Sequence, residues 1–174
     1  MQIKDREFEI FLNEQEIQSA IKLLATEINK EYQGREVIFV GVMNGAFMFV
    51  ADLLKNIEFQ CEVSFVKLTS YEGVETSGTV HELIGLVNDL YDKHVIILED
   101  IVDTGLTLDK VFSMIDSDTP SSLEVACLLY KPTAFKGNHP PKYVGIEIPD
   151  HFVVGYGLDY MEYGRNTKDI YKLK

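Results

Sequence analysis

One stretch constrains this chain more than any other: Val95-Ile96-Ile97-Leu98-Glu99-Asp100-Ile101-Val102-Asp103-Thr104-Gly105-Leu106-Thr107. Residues 95–98 form a continuous apolar run rich in β-branched side chains, the pattern of a central parallel strand covered on both faces. Further on, Leu108, Val111, Phe112 and Ile115 recur on one face of a helix. The acids between them therefore lie in a strand-to-helix loop. In open α/β sheets such loops, at the carboxyl ends of strands, line the ligand crevice.

The loop's composition limits what it can bind. Thr104 and Thr107 supply hydroxyls, Gly105 lets backbone approach a ligand closely, and the helix start supplies free N–H groups, which together suit a phosphate monoester. A helix terminus favours an anion by only about 0.3 to 1 kcal/mol at an exposed site, so the N–H and hydroxyl hydrogen bonds must carry most of the affinity. Glu99 and Asp100 only accept hydrogen bonds when ionised, and they suit sugar hydroxyls or a hard cation. The pattern predicts a phosphosugar site. The plainer alternative, Asp103 as a helix cap beside two solvated loop acids, leaves the apolar strand, the paired acids and the fixed offset to Thr107 unexplained.

The remaining periodicity extends the same architecture. Asn13 with Glu16 has the spacing of a capping pair, and Ile17, Ile21, Leu24 and Ile28 mark an amphipathic helix ending near Gly34. Residues 37–42 read as a buried strand, followed from about Ala46 by a helix with Phe47, Val50, Leu54 and Ile57 on one face. Strands are expected near residues 61–68, 83–87, 94–98 and 123–130, giving one doubly wound α/β domain over residues 1–174 with a mainly parallel sheet. Asn44-Gly45 between apolar runs ordinarily signals a β-hairpin, but the change from continuous to helical spacing puts it in a strand-to-helix loop. Residues 69–79 are polar and contain glycine, the composition of a surface loop.

A formal net charge of -12 argues against nucleic acid or an anionic membrane as the main partner. An acidic chain that binds a polyanion needs metal ions and local donors, since salt screens charges beyond about 8 Å; Mg2+ is the expected cofactor. Cys61 and Cys127 lack Cys-x-x-Cys spacing and read as free thiols, and the four histidines show no ligand-like spacing. With no signal peptide or long apolar span visible in these residues, a cytoplasmic setting is expected.

Residues 95–107 resemble the phosphoribosyl pyrophosphate motif of type I phosphoribosyltransferases, and Glu99-Asp100-Ile101-Val102-Asp103-Thr104-Gly105 resembles its hypoxanthine-guanine version. The likeness extends from Val37 to about Arg165. It implies a small C-terminal and lid subdomain for base recognition, with a flexible lid at about 69–81 carrying Ser70-Tyr71 and a base-recognition segment at about 131–165. The reaction implied is purine salvage: the ribosyl 5-phosphate group moves from phosphoribosyl pyrophosphate to a 6-oxopurine, hypoxanthine and also guanine, with release of pyrophosphate.

Residue roles follow from the same resemblance. Asp103 would be the general base; Glu99 and Asp100 would hold the ribose hydroxyls; Thr104, Gly105, Leu106 and Thr107 would hold the 5-phosphate. Met43, Asn44 and Gly45, with a peptide at Met43-Asn44 that is often cis in the family, would cradle pyrophosphate together with Arg165. Lys131 would donate to the purine 6-oxo group, Phe152 would stack on the base, and Val153 would offer backbone groups to its edge. Asp159, with Glu99 and Asp100, would hold Mg2+. Judged by residue type alone, Lys131 reads as a surface lysine, Phe152 and Val153 as core, and Asp159 as a turn residue. Asn44 and Leu106 stand where many relatives carry lysine, which shifts the work to backbone amides. The family also implies a homodimer or homotetramer. Two other classes compete: a receiver-like signalling domain, which gives no reason for Asp-Thr-Gly-x-Thr, and a non-catalytic regulator on the same fold, which would want a basic face.

Overall fold

Apolar runs in the sequence become the centre of a six-stranded sheet in the computed structural model, which describes residues 1–69, 81–84, 89–115 and 119–174. In chain order the elements are β1 (Gln2–Ile3), β2 (Arg6–Leu12), α1 (Glu14–Tyr32), β3 (Val37–Met43), α2 (Phe47–Leu54), β4 (Glu62–Thr69) and β5 (His81–Ile84). They continue with β6 (His94–Val102), α3 (Leu106–Ile115), β7 (Ser122–Tyr130), β8 (Tyr143–Glu147), β9 (Val153–Val154) and β10 (Ile170–Leu173). The large sheet runs β5-β4-β3-β6-β7-β8, parallel throughout except for β5, which is antiparallel to β4.

Strand alternation sorts the core into two layers. On one face Phe39, Ile96, Leu98, Ala126 and Leu128 pack against Ile17, Ile21, Leu24 and Ile28 of α1 and Phe49, Val50 and Leu53 of α2. On the other, Ile38, Val40, Val95, Ile97, Val125 and Cys127 pack against Leu108, Val111 and Ile115 of α3. Helices cover both faces, so the fold is doubly wound as the periodicity predicts. Each Val, Leu, Ile or Phe side chain among them, fully buried, contributes about 1.5 to 3 kcal/mol.

α1 starts where the sequence places it. The Glu16 amide donates to Asn13 Oδ1 at 3.1 Å and the Asn13 amide to Glu16 Oε2 at 2.8 Å, a reciprocal capping box. For α2 the expected face is out of phase. Phe47 is exposed, Leu54 and Ile57 are only partly buried, and Phe49, Val50 and Leu53 carry the contact. The segment Phe-Met-Phe-Val-Ala-Asp-Leu-Leu is apolar almost all round, so spacing alone does not select a face. The strand expected at 83–87 meets β5 only at residues 83–84; 85–87 lie outside the described residues, as do Ser70 and Tyr71 of the expected lid.

A second, four-stranded sheet, β1-β2-β10-β9, forms a hood from both ends of the chain. Its small core is Ile3, Phe8 and Val154, with Tyr160, Tyr171 and Leu173 packed against it. The hood therefore reaches beyond residues 131–165 on both sides, whereas β8, inside that segment, extends the parallel sheet. β1, β9 and β10 are too short to carry much periodicity, and the sheet's pairing joins residues from opposite ends of the chain.

Candidate active site

Glu99 and Asp100 end the apolar core of β6, and both are buried. The Ile101 amide donates to Asp100 Oδ1 at 2.9 Å. Burial pushes the Asp100 carboxyl up to about 6, against the lowering pull of that hydrogen bond and of the Arg165 charge. Burial, and then the Asp100 charge, hold the Glu99 carboxyl well above its ordinary range. Neither acid has a salt bridge among the described residues. Two buried carboxylates free of salt bridges among the described residues have the donor chemistry for sugar hydroxyls or a hard cation.

Beyond Asp103, Gly105 adopts φ +86° and α3 begins at Leu106, which is exposed. The first intrahelical bond runs from the Asp109 amide to the Gly105 carbonyl at 3.1 Å, so the preceding amides have no partner within the helix. They border a cavity of about 250 Å³ lined by Glu99, Asp100, Asp103, Thr104, Gly105 and Thr107. A neighbouring loop braces this turn from outside. Lys136 N donates to the Thr104 carbonyl at 3.0 Å, the Phe135 ring and Gly137 lie against Gly105, and Asn138 donates twice to the Asp109 carboxylate, at 3.0 and 3.2 Å.

The loop after β3 closes the second side. Its Met43–Asn44 peptide is cis. Gly45 faces the Asp100 carboxylate so closely that a β-carbon there would overlap it, and a β-carbon on Gly157 would overlap the Gly45 carbonyl. Three chain segments thus meet with only glycine able to fit between them. Gly155, Tyr156 and Gly157 are consecutive left-handed residues, at φ +107°, +52° and +101°. The buried Tyr156 hydroxyl donates to Asp52 Oδ2 of α2 at 2.6 Å, and Gln18 Nε2 donates to the same oxygen at 2.7 Å. Burial, and then the Asp52 carboxylate, hold the Tyr156 phenol well above its ordinary range.

Arg165 and Asp159 face each other, Nη2 to Oδ1 at 2.7 Å, and Arg165 also reaches Glu162 at 3.2 Å and the Gly157 carbonyl at 2.9 Å. Asp159 Oδ2 accepts from the Glu162 amide at 2.8 Å. The trio assigned to Mg2+ from the sequence is not gathered into a cage: among the described residues no three His, Cys, Asp or Glu side chains cluster closely enough to hold a metal. Both Asp159 oxygens are already engaged, Oδ1 by Arg165 and Oδ2 by the Glu162 amide.

On the base side, Lys131 follows β7 and is only 5% exposed. Its Nζ donates to Asp103 Oδ2 at 2.8 Å and to Asp150 Oδ1 at 3.0 Å. Burial opposes its charge, but the two carboxylates outweigh burial and raise the ammonium above its ordinary value. The residue that composition alone would leave on the surface is a buried, fully charged donor. Phe152 remains 48% exposed, its ring edge-on to Tyr160 at 5.9 Å and tilted against Phe8 at 6.3 Å. Val153 is buried in β9, opposite Lys172.

The structure thus brings together Glu99, Asp100, Asp103, Gly45, Lys131 and Arg165 around one cleft. Sequence reasoning assigned no role to Asp150, Asp52 or Tyr156. Asp150 had a local signal, an acid two residues before Phe152 in a segment already singled out. Tyr156 and Asp52 had none, being joined only by the fold.

Comparison with known proteins points the same way. A family model described as a phosphoribosyl transferase domain matches residues 8–161. Hypoxanthine-guanine phosphoribosyltransferase of Staphylococcus aureus is 41% identical over 167 residues, covering 95% of this chain and 93% of that protein. The Staphylococcus epidermidis protein of the same name is 42% identical over 166 residues, covering 95% and 93%. Among solved structures, a hypoxanthine phosphoribosyltransferase from S. aureus superimposes with TM-score 0.90 at 41% identity, covering 98% of this chain and 92% of that one. A hypoxanthine-guanine phosphoribosyltransferase from Bacillus anthracis gives 0.89 at 34% identity, covering 97% and 98%.

Proposed function

The chain belongs to the phosphoribosyltransferase family, and from that premise we propose that it is a purine-salvage enzyme, a hypoxanthine phosphoribosyltransferase that also takes guanine. It moves the ribosyl 5-phosphate group from phosphoribosyl pyrophosphate to N9 of the base and releases pyrophosphate. One observation carries the reading: Lys131, a buried ammonium able to recognise a 6-oxo group, is bonded directly to Asp103 of the phosphosugar loop. Base and sugar sites share a wall.

The roles follow from where charge develops. As the bond from C1 to pyrophosphate breaks, the ribose gains oxocarbenium character and the leaving group gains negative charge. Glu99 and Asp100 hold the ribose hydroxyls and set carboxylate charge near the cationic sugar. The amides of Met43, Asn44 and Gly45, with Arg165, receive pyrophosphate. Thr104, Gly105, Leu106 and Thr107 hold the 5-phosphate at the start of α3. Asp103 accepts the base proton on the N7 side. Phe152 stacks on the purine, Val153 presents backbone to its edge, and Ser70-Tyr71 cover the reacting atoms from water.

Glu99, Asp100 and Asp159 would hold Mg2+, Asp159 only once it is released from Arg165 and the Glu162 amide, and the ion's chemistry is to neutralise charge on pyrophosphate. Two buried acids with no salt bridge among the described residues support that assignment. Two free thiols fit a cytoplasmic setting. Exposed Phe47, Val63 and Phe65 fit assembly as a homodimer or homotetramer. Among the described residues no helix is long and apolar enough to cross a membrane.

The test is direct. With phosphoribosyl pyrophosphate and Mg2+, hypoxanthine and guanine yield nucleoside monophosphate while adenine does not, since a site built on a buried donor discriminates by about 10⁴ to 10⁵. Absence of nucleotide from both oxopurines would overturn the reading.

A further inference from the structure

An ammonium group has three N–H donors and accepts nothing. At 5% exposure Lys131 cannot satisfy them with bulk water, so its partners decide where each one points. Asp103 takes one at 2.8 Å and Asp150 a second at 3.0 Å. Tetrahedral geometry then fixes the direction of the third. With Asp103 alone, the end of the flexible four-carbon stem would be held by one hydrogen bond instead of two, and two N–H groups rather than one would be left to compete for the base.

Asp150 is tied to the strand end that carries Lys131. The Ile148 amide donates to the Tyr130 carbonyl at 2.8 Å, and the His151 amide donates to the Pro149 carbonyl at 2.7 Å. These bonds lock the turn between β8 and β9 against the residue just before Lys131. Two positions further on stands Phe152. Asp150 therefore joins the donor and the stacking ring into one unit, although its own side chain is 67% exposed and gains little from burial.

We propose that Asp150 is a specificity-determining positioning residue: by holding one N–H of Lys131 it aims the remaining N–H at the 6-oxo oxygen of the purine. This rests on the function proposed above and assigns part of its base selectivity to a residue that need not touch the base. An oxo group accepts the aimed N–H. A base with no acceptor at that position gains nothing from it.

The test uses the full chain and its Asp150→Ala and Asp150→Asn variants. Steady-state kinetics give KM for hypoxanthine and for phosphoribosyl pyrophosphate, and unsubstituted purine serves as a competitor without a 6-oxo acceptor. For Asp150→Ala the KM for hypoxanthine rises about tenfold, the scale of one aimed hydrogen bond to a charged group. The KM for phosphoribosyl pyrophosphate and the inhibition constant of unsubstituted purine stay within about twofold, and Asp150→Asn, which keeps an acceptor oxygen, recovers most of the loss. An unchanged KM for hypoxanthine overturns the inference. So does a parallel rise in all three constants, or an asparagine variant no better than alanine. If the wild type makes no nucleotide, the functional reading falls and takes the inference with it; if the wild type is active and the variants match it, only the inference falls.

Discussion

At the end of β6, Glu99 and Asp100 are buried acids with no salt bridge among the described residues, whereas across the cleft every charged group named here has a partner. Arg165 pairs with Asp159 and Glu162, and Lys131 with Asp103 and Asp150. The first wall holds no ion pair among the described residues and is strained electrostatically by burial; the second is neutralised internally. The contrast says where binding does its work. A ligand that brings a cation relieves the wall of buried acids, while at the paired residues it must exchange existing ion pairs for its own.

The largest test falls on the residue that bridges the two walls. Asp103→Asn removes the base while keeping an acceptor oxygen for Lys131, and kcat falls by about 10² to 10⁴-fold while KM for phosphoribosyl pyrophosphate changes little. Equal turnover in the variant would take Asp103 out of the role.

Next comes pH, which separates the walls without a ligand. A carboxyl with a folded pKa near 6 and an unfolded value near 3.9 supports the fold below about pH 4 and loses that support as pH rises through 6. At pH 8 without metal, the Asp100 charge then costs about 3 kcal/mol. Asp100→Asn raises Tm at pH 8 by roughly 6 to 12 °C and leaves it almost unchanged near pH 4, as scanning calorimetry would record. A gain that is the same at both values contradicts a charge-based cause.

Where the walls touch, the effect is steric. Gly157→Ala drives a β-carbon into the Gly45 carbonyl and forces a side chain onto φ +101°, costing about 1 to 3 kcal/mol. Tm drops by roughly 2 to 10 °C. Smallest is Tyr156→Phe, which removes one buried hydrogen bond to Asp52 and leaves the ring in place; about 1 to 2 kcal/mol is lost in chemical denaturation.

Legibility in the sequence follows the same division. The parallel sheet was readable because each central strand is a continuous apolar run and each contact face repeats every second residue, as β3, β6 and β7 show. The capping box of α1 was readable because both partners lie within four residues. The face of α2 was not, since a helix apolar on all sides offers no phase. β1, β2 and β10 were not, because their sheet is made by pairing opposite ends of the chain, which leaves no local trace.

Local chemistry along the chain, an apolar strand running into paired acids, a glycine turn and a helix start, was enough to determine the fold class and the phosphosugar loop, because strand and helix periods act between near neighbours. Only the tertiary structure decided that Lys131 is buried between Asp103 and Asp150, that Gly45 lies against Asp100, and that Tyr156 reaches Asp52. Such contacts depend on loops converging from separate strands, and the cost of bringing distant residues together is met by the whole packed sheet rather than by the residues that touch.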